Sequence, residues 1–322
     1  MRIAARIRMG KSISVLIAVG ALSLLLSGCP EEAPKVCGTL WTHDFGADPI
    51  CSYLALIPDS SFVVATGMFG RVEVVSAEDG HSAWSASYAD ESFLMPPVAT
   101  PEGDICLLSE SGHVIYLRRD GDSWTQAWMN AEYSRDINTP LMVQKDYLYA
   151  FYNRHHLLVQ FDRATGTALR TKDYANPPSD PRDAFVSETQ TVRAGDSRVF
   201  VIDDTTDYGT STEGARIDVL DENLAVVREI DLGIWSWGTP TSSPSKTSVF
   251  AAYHIVRGDS LFVWSVETDY ASSYASTTQL ICRRIDADGT GAVVGQVALP
   301  YGYPGDVLEN SSGRILFGDD VT

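Results

Sequence analysis

The chain has 322 residues, of which 44% are apolar and 20% charged, with a formal net charge of −18. A chain of this size buries about three quarters of its unfolded surface, so no staple is required for stability. The acidic balance repels nucleic acid and anionic lipid headgroups and excludes both as partners of the bare surface. Taken in order, the chain starts with a basic segment (Arg2, Arg6, Arg8, Lys11) followed by an apolar run, Ile13 to Leu26. That run is too short to span a bilayer as a folded helix, and the small residues Ser27-Gly28 follow it, the pattern of a secretory signal.

The stretch Leu24 to Cys29, LLLSGC, resembles the bacterial lipobox. The resemblance implies cleavage before Cys29 and its acylation, so residues 1–28 are expected to be a lipoprotein signal peptide and 29–38 a lipidated tether. Removing the four positive charges of the signal takes the net charge from −18 to −22. Several acyl chains on Cys29 would hold the protein at a membrane. Pro30-Glu31 lacks the aspartate that, in enterobacteria, retains such proteins in the inner membrane, which favours the outer membrane. In that oxidising compartment the spacing of Cys37 and Cys51 permits a local disulfide, whereas Cys106 and Cys282 sit in strand-like runs and read as small buried hydrophobes.

Beyond the tether, Thr39 to Phe45 reads as a lone strand of the kind that closes a ring. Phe62 to Trp84 is then the clearest copy of a recurring meander. Val63 and Val64, then Val72, Val74 and Val75, are β-branched at strand spacing, Asp79-Gly80 makes a turn, and Trp84 lies four residues past the glycine. A first unit runs from about Tyr53 to Ser87. A second has strands near 93–99, 104–109, 113–118 and 123–129, and a third near 137–143, 147–153, 156–161 and on to Asp173. The Pro-rich NPPSDP, Asn176 to Pro181, marks a longer connection. After it, the stretches from Val192 and from Val256 match each other, each with a Gly-Asp-Ser turn, an aromatic-rich strand, a polar loop, an apolar strand and an Asp-rich turn. Turns at Gly80, Gly121, Gly166, Asn223 and Gly289 are 41, 45, 57 and 66 residues apart. The first spacings match the ~40–50 residues of a propeller blade. Polar insertions near Asp204–Gly214 and Thr268–Thr277 stretch the later ones, and they are expected together on one rim.

SAEDGHSAW (Ser76 to Trp84) and FDRATGTAL (Phe161 to Leu169) resemble the Asp-x-x-Thr-Gly-x-x-x-Trp repeat of the PQQ-like, quinoprotein dehydrogenase-type β-propellers. The resemblance implies an all-β propeller of four-stranded antiparallel blades over residues 39–322, about six in number. Tyr303 to Phe317 reads as the first two strands of another blade, so either the ring closes with an incomplete sixth blade or the sequence is truncated relative to seven- or eight-bladed relatives. In that family the repeat's tryptophan packs between blades; Trp84 keeps it, and Arg170 stands in its place in the third copy. The quinoproteins also use calcium, a catalytic aspartate and commonly a vicinal disulfide. This chain has no adjacent cysteines and about half the length, so no cofactor is expected.

Motifs that could carry chemistry have simpler turn readings. Gly258-Asp259-Ser260-Leu261 matches the nucleophile block of the GDSL esterases, but no histidine follows His254 to act as base. Gly-Asp-Ser recurs at Gly121 and Gly195, as turn preference produces. His155 and His156, adjacent on a strand, point to opposite faces and do not chelate one ion. Asp286-Ala287-Asp288-Gly289 and Asp203 to Asp207 could offer oxygens to calcium, yet both fall where turns are needed, and neither has an EF-hand's twelve-residue loop. No metal site is assigned. Trp235, Trp237 and Trp264 read as blade packing rather than a sugar site.

The expected function is a non-catalytic protein-binding scaffold, exported and lipid-anchored at the cell envelope. Its analogue by fold is the propeller lipoprotein of the outer-membrane β-barrel assembly machinery. The alternative is a propeller enzyme or a binder of sugar, calcium or quinone in the central channel.

Overall fold

A computed structural model describes residues 2–6, 13–18, 41–46, 48, 54–58, 61–133, 141–152, 156–174, 189–207, 212–236, 247–272, 275–299, 304–309 and 315–319. Every regular element among them is a strand. Near the N-terminus, β1 (Arg2–Arg6), β2 (Ile13–Ala18) and β3 (Trp41–His43) form one antiparallel sheet. The β2 strand pairs with the Trp41 strand, Ile13 opposite His43 and Val15 opposite Trp41. Cys29, Cys37, Cys51, His155 and Trp237 lie outside the described residues.

Five four-stranded antiparallel sheets follow, each a meander in chain order. The first is β4 (Ala55–Leu56), β5 (Phe62–Thr66), β6 (Arg71–Ser76) and β7 (Ser82–Ser87). The second is β8 (Val98–Ala99), β9 (Ile105–Leu108), β10 (Val114–Asp120) and β11 (Ser123–Asn130). The third is β12 (Met142–Gln144), β13 (Tyr147–Tyr152), β14 (Leu157–Asp162) and β15 (Ala168–Asp173). The fourth is β16 (Thr189–Ala194), β17 (Val199–Asp207), β18 (Thr212–Leu220) and β19 (Val226–Ser236). The fifth is β20 (Thr247–Arg257), β21 (Ser260–Ser272), β22 (Ala275–Ile285) and β23 (Gly291–Leu299). Finally, among the described residues, β24 (Pro304–Glu309) and β25 (Ile315–Asp319) pair as a two-stranded sheet. This is a β-propeller built of four-stranded blades.

Sequence and structure differ at three points. The first strand of the second sheet begins at Val98 rather than near Phe93, because Pro96 and Pro97 have no amide to give a ladder. The Asp79-Gly80 turn is not a two-residue hairpin. Ser76 and His81 close it, with Gly80 N–H donating to the Ser76 carbonyl at 3.0 Å, and Gly80 at φ 75° takes the left-handed position. Asp162 and Thr167 repeat that loop around Gly166, at φ 73°. Third, the polar insertions are not loops: β17 continues to Asp207 and β18 starts at Thr212, while β21 continues to Ser272 and β22 starts at Ala275.

The chain divides into two compact units, one holding the first two four-stranded sheets and the other holding the third to fifth. In the first unit Val64, Val72 and Val74 pack with Ile105, Leu107, Ile115 and Trp124 of the second sheet. In the second unit the middle sheet is buried on both sides. Val199 and Val201 join Tyr149 and Phe151, whereas Phe200 and Ile202, on the other face of the same strand, join Leu261 and Val263. A strand buried on both faces needs the unbroken apolar run VFVI rather than alternation, which is what residues 199–202 supply.

Candidate functional site

A meander of antiparallel strands puts its first and third turns at one end of the sheet and its second at the other. The two ends do different things here.

At the first and third turns, neighbouring sheets are locked together. Gly195-Asp196-Ser197 and Gly258-Asp259-Ser260 dock on each other: the Asp259 carboxylate accepts from the Ser197 amide and, at 2.6 Å, from the Ser197 hydroxyl. Asp196 N–H donates to the Gly258 carbonyl at 3.2 Å. A Cβ on Gly195 would sit 2.4 Å from that carbonyl oxygen, so glycine is required there by close approach. Partial burial raises the Asp259 carboxyl, but the Ser197 hydroxyl and the amides of Ser197 and Arg198 outweigh it and hold it below the usual range. Ser260 Oγ donates to Asp286 Oδ1 at 2.8 Å. That contact ties the Gly-Asp-Ser turn to the Asp-rich turn of the same sheet.

The Asp-rich turn is occupied in the same way. Asp288 Oδ1 accepts from the Thr290 amide at 2.8 Å and its hydroxyl at 2.7 Å, contacts that lower its pKa. Among the described residues no three of His, Cys, Asp and Glu are grouped to hold a metal. For Asp203 to Asp207 the structure gives a strand, β17. Cys106 and Cys282 are buried thiols, as read from their runs. Trp264 stacks on Phe262 with ring centroids 6.3 Å apart, which is packing.

Sequence reasoning missed a buried polar network between the third and fourth sheets. Tyr149 Oη donates to Gln144 Oε1 at 2.6 Å and accepts from Gln160 Nε2 at 3.0 Å. Gln144 Nε2 donates onward to the Gly195 carbonyl at 2.6 Å, and Gln160 Nε2 to the Glu222 carbonyl at 3.0 Å. Arg170, where the repeat has tryptophan, donates to Gln160 Oε1 at 2.8 Å. Burial pushes the Tyr149 phenol up to about 12.

His254 on β20 is the most perturbed base. Neither ring nitrogen has a hydrogen-bond partner among the described residues, and both are enclosed. Burial, and then the Arg193 charge, push its pKa down to about 3 from 6.5. The perturbation has a measurable consequence. Below pH 6.5 the unfolded chain takes a proton that the folded chain refuses until about pH 3, so stability falls as pH drops through that window. The slope is about 1.4 kcal/mol per pH unit. Melting at pH 7.5 and 5.0 should show His254→Leu losing less stability than the parent; equal losses would remove His254 as the cause.

The other end carries the second turns, and these differ from sheet to sheet. In the first sheet Gly67 to Gly70 make a tight hairpin that puts Phe69 at 65% and Met68 at 37% exposure. Asp48 holds it, accepting from the Phe69 amide at 2.7 Å and the Arg71 amide at 3.1 Å. Gly70, at φ 82°, lies so close to the Tyr88 carbonyl that a Cβ would fall 1.9 Å from its oxygen. Beside the tip is an open depression of about 550 Å³ lined by Asp48, Phe69, Arg71, Ser85, Ala86 and Ser87. Arg71 is already engaged below, with buried Glu73 at 2.8 Å and the Phe45 carbonyl at 3.0 Å, and His43 Nε2 meets the same Glu73 at 3.0 Å. That cluster clasps β3 to the first sheet.

In the fourth and fifth sheets the second hairpins are long. Pairing continues to Asp207 opposite Thr212 and to Ser272 opposite Ala275. β21 has 13 residues against 5 in β5, and both strands follow a first turn directly. The surplus lies at the second-turn end and at 3.3 Å per residue carries it about 25 Å further. Flanking strands support the extension, Ser236 pairing with Thr212 and Leu299 with Thr278. Two ladders rich in Asp, Ser and Thr thus extend the second-turn ends of sequence-adjacent sheets.

No family model matches this chain, and no curated protein matches it. Solved structures similar to it include BamB from Moraxella catarrhalis, at 11% identity over 86% of this chain and 82% of that one, with a TM-score of 0.46. Another is the WD40 domain of Toxoplasma gondii coronin, at 10% identity over 80% of this chain, with a TM-score of 0.53. This chain spans 61% of the coronin chain's length. The likeness is one of fold, and the fold is the β-propeller.

Proposed function

We propose that this protein is an exported, lipid-anchored propeller of the PQQ-like type that serves as a non-catalytic protein-binding scaffold at the bacterial cell envelope. The observation that carries the reading is the pair of extended hairpins, 205–214 and 268–278. Strands carried well past the length that the first three sheets use extend the end of the sheet where the second turns lie, and loops and strand ends of that kind commonly serve recognition. The exposed Phe69 and Met68 beside their depression supply the apolar element that a protein contact uses and a solvated turn does not. Cys29 carries the anchor and Cys37 and Cys51 form the local disulfide in this reading. Cleavage before Cys29 would also take β1 and β2 off the edge of β3, leaving that strand to the mature propeller.

The test is crosslinking in cells followed by capture from detergent-solubilised envelope, with the parent chain compared against a variant whose hairpins are cut back by replacing 206–213 and 269–276 with short Gly-Asn turns. The parent should recover a stoichiometric envelope protein and the trimmed variant at least tenfold less. Cys29→Ala should remain an unprocessed, unlipidated precursor. Equal recovery by both chains would sink the hairpin reading, and recovery of no protein by either would favour a small ligand in the channel.

A further inference from the structure

β23 is the outer strand of the fifth sheet and, among the described strands, pairs only with β22. Its sequence, GAVVGQVAL, has no charge in a chain of net charge −18. β7 and β11 are uncharged outer strands too, but Trp84 of β7 is half-buried and Trp124 of β11 is buried. Along β23 every position from 291 to 298 is exposed, including Val293 at 57%, Val294 at 49% and Val297 at 50%. An exposed, uncharged, β-branched edge without proline is the kind that natural sheets avoid unless something pairs with it.

The sequence itself names the strand that fits. About Gly295, Ala292 mirrors Ala298, Val293 mirrors Val297, and Val294 mirrors Gln296. Two copies laid antiparallel about Gly295 set alanine against alanine's mirror and valine against valine, the self-complementary arrangement that a two-fold interface demands. Charge points the same way. Acidic copies repel wherever carboxylates meet, and β23 offers them a window with none. Gly295 stands opposite Cys282 and Val293 opposite Arg283, so Val294 is an extra residue on β23 itself, a bulge whose local twist confines regular pairing to a few residues on each side of the centre. Such a contact falls below the ~1,000 Å² of a stable interface, so it is reversible and concentration-dependent.

We propose that β23 is a self-association edge: two copies of this chain pair antiparallel through residues 292–298, with the two-fold axis at Gly295. The inference stands apart from the scaffold reading, since it needs no other protein.

The proposed register makes one residue face itself. Antiparallel partners have Cα atoms about 4.5–5.5 Å apart, within disulfide range. A Cβ on Gly295 would meet nothing within 4 Å, and one on Gly291 only the Arg284 carbonyl at 3.9 Å, so both positions accept cysteine. Two copies of residue 291 would lie about 27 Å apart in this register. Full-length protein in detergent is oxidised mildly across a concentration series, with the parent chain reporting on its native cysteines and far-UV circular dichroism on folding. Gly295→Cys should give several-fold more covalent dimer than the parent or Gly291→Cys. Adding Val293→Glu, which brings carboxylates to the pair, should reduce that yield several-fold. Equal crosslinking at 291 and 295, no crosslinking above the parent at 295, or indifference to Val293→Glu would overturn the proposal.

Discussion

Replacing Trp124 by alanine is expected to lower the free energy of unfolding of the first unit by about 3–5 kcal/mol, the range for removing a buried tryptophan. Trp124 is 1% exposed and stands where the first two four-stranded sheets meet. Its ring lies 6.0 Å from Phe62, edge to face, and 6.1 Å from Trp84, and the Arg119 guanidinium sits 5.4 Å from its centroid. The indole N–H donates to the Gly103 carbonyl at 2.9 Å, in a turn where a Cβ on Gly103 would strike the Arg119 side chain at 2.8 Å. Alanine would leave a cavity, an unpaired carbonyl and an arginine without its ring. Trp84 is only half-buried, so Trp84→Ala should cost clearly less. Urea unfolding followed by far-UV circular dichroism separates the two. A larger loss for Trp84→Ala would show that the repeat's own tryptophan, and not Trp124, holds the sheets together.

That comparison shows where sequence reasoning succeeded and where it stopped. Strand positions in the first three four-stranded sheets were legible because valine-rich runs are punctuated by turns with one left-handed glycine each, at Gly80, Gly121 and Gly166. Trp84 was legible as a docking residue from its spacing to Gly80. Trp124 carries the same signal three residues after Gly121 instead of four, in a tighter turn that Asp120 and Ser123 close, and the stricter spacing hid it. The long hairpins were read as loops because Asp, Ser and Thr without hydrophobic alternation look like loop composition. A ladder, however, is held by backbone pairing and needs no buried face where it projects from the sheet. The Gly-Asp-Ser copies were correctly read as turns, but nothing local reveals that two of them dock on each other across a separation of 62 residues. Buried glutamines leave no pattern at all, since their partners are set by the packing of sheets and not by spacing.

The network they build yields the second large effect. Gln160 is fully buried, and its side chain binds the Tyr149 hydroxyl, the Glu222 carbonyl and the Arg170 guanidinium. Gln160→Leu keeps the volume and removes all three partners, and each buried group left unpaired costs about 1–3 kcal/mol. Arg170 reaches solvent and can find water, and the Tyr149 hydroxyl keeps its bond to Gln144, so the Glu222 carbonyl is the group that loses this partner without solvent to replace it. Tyr149→Phe should cost less alone, because it deletes the hydroxyl but leaves the Gln160 amide its bond to Glu222. Each single variant breaks the bond between Gln160 and Tyr149 and the double variant loses it only once, so the double should be more stable than the sum of the singles by about 0.5–3 kcal/mol. A double-mutant cycle in urea measures that coupling, and strict additivity would mean the two side chains do not act together. The same cycle tests the substitution in the third repeat: if Arg170, Gln160 and Tyr149 do jointly what a tryptophan does between the first two sheets, Arg170→Trp in the parent should be tolerated only where Gln160 is also made apolar. The polar lock and the aromatic lock are then alternative solutions for one seam between blades, each destroyed by half of the other.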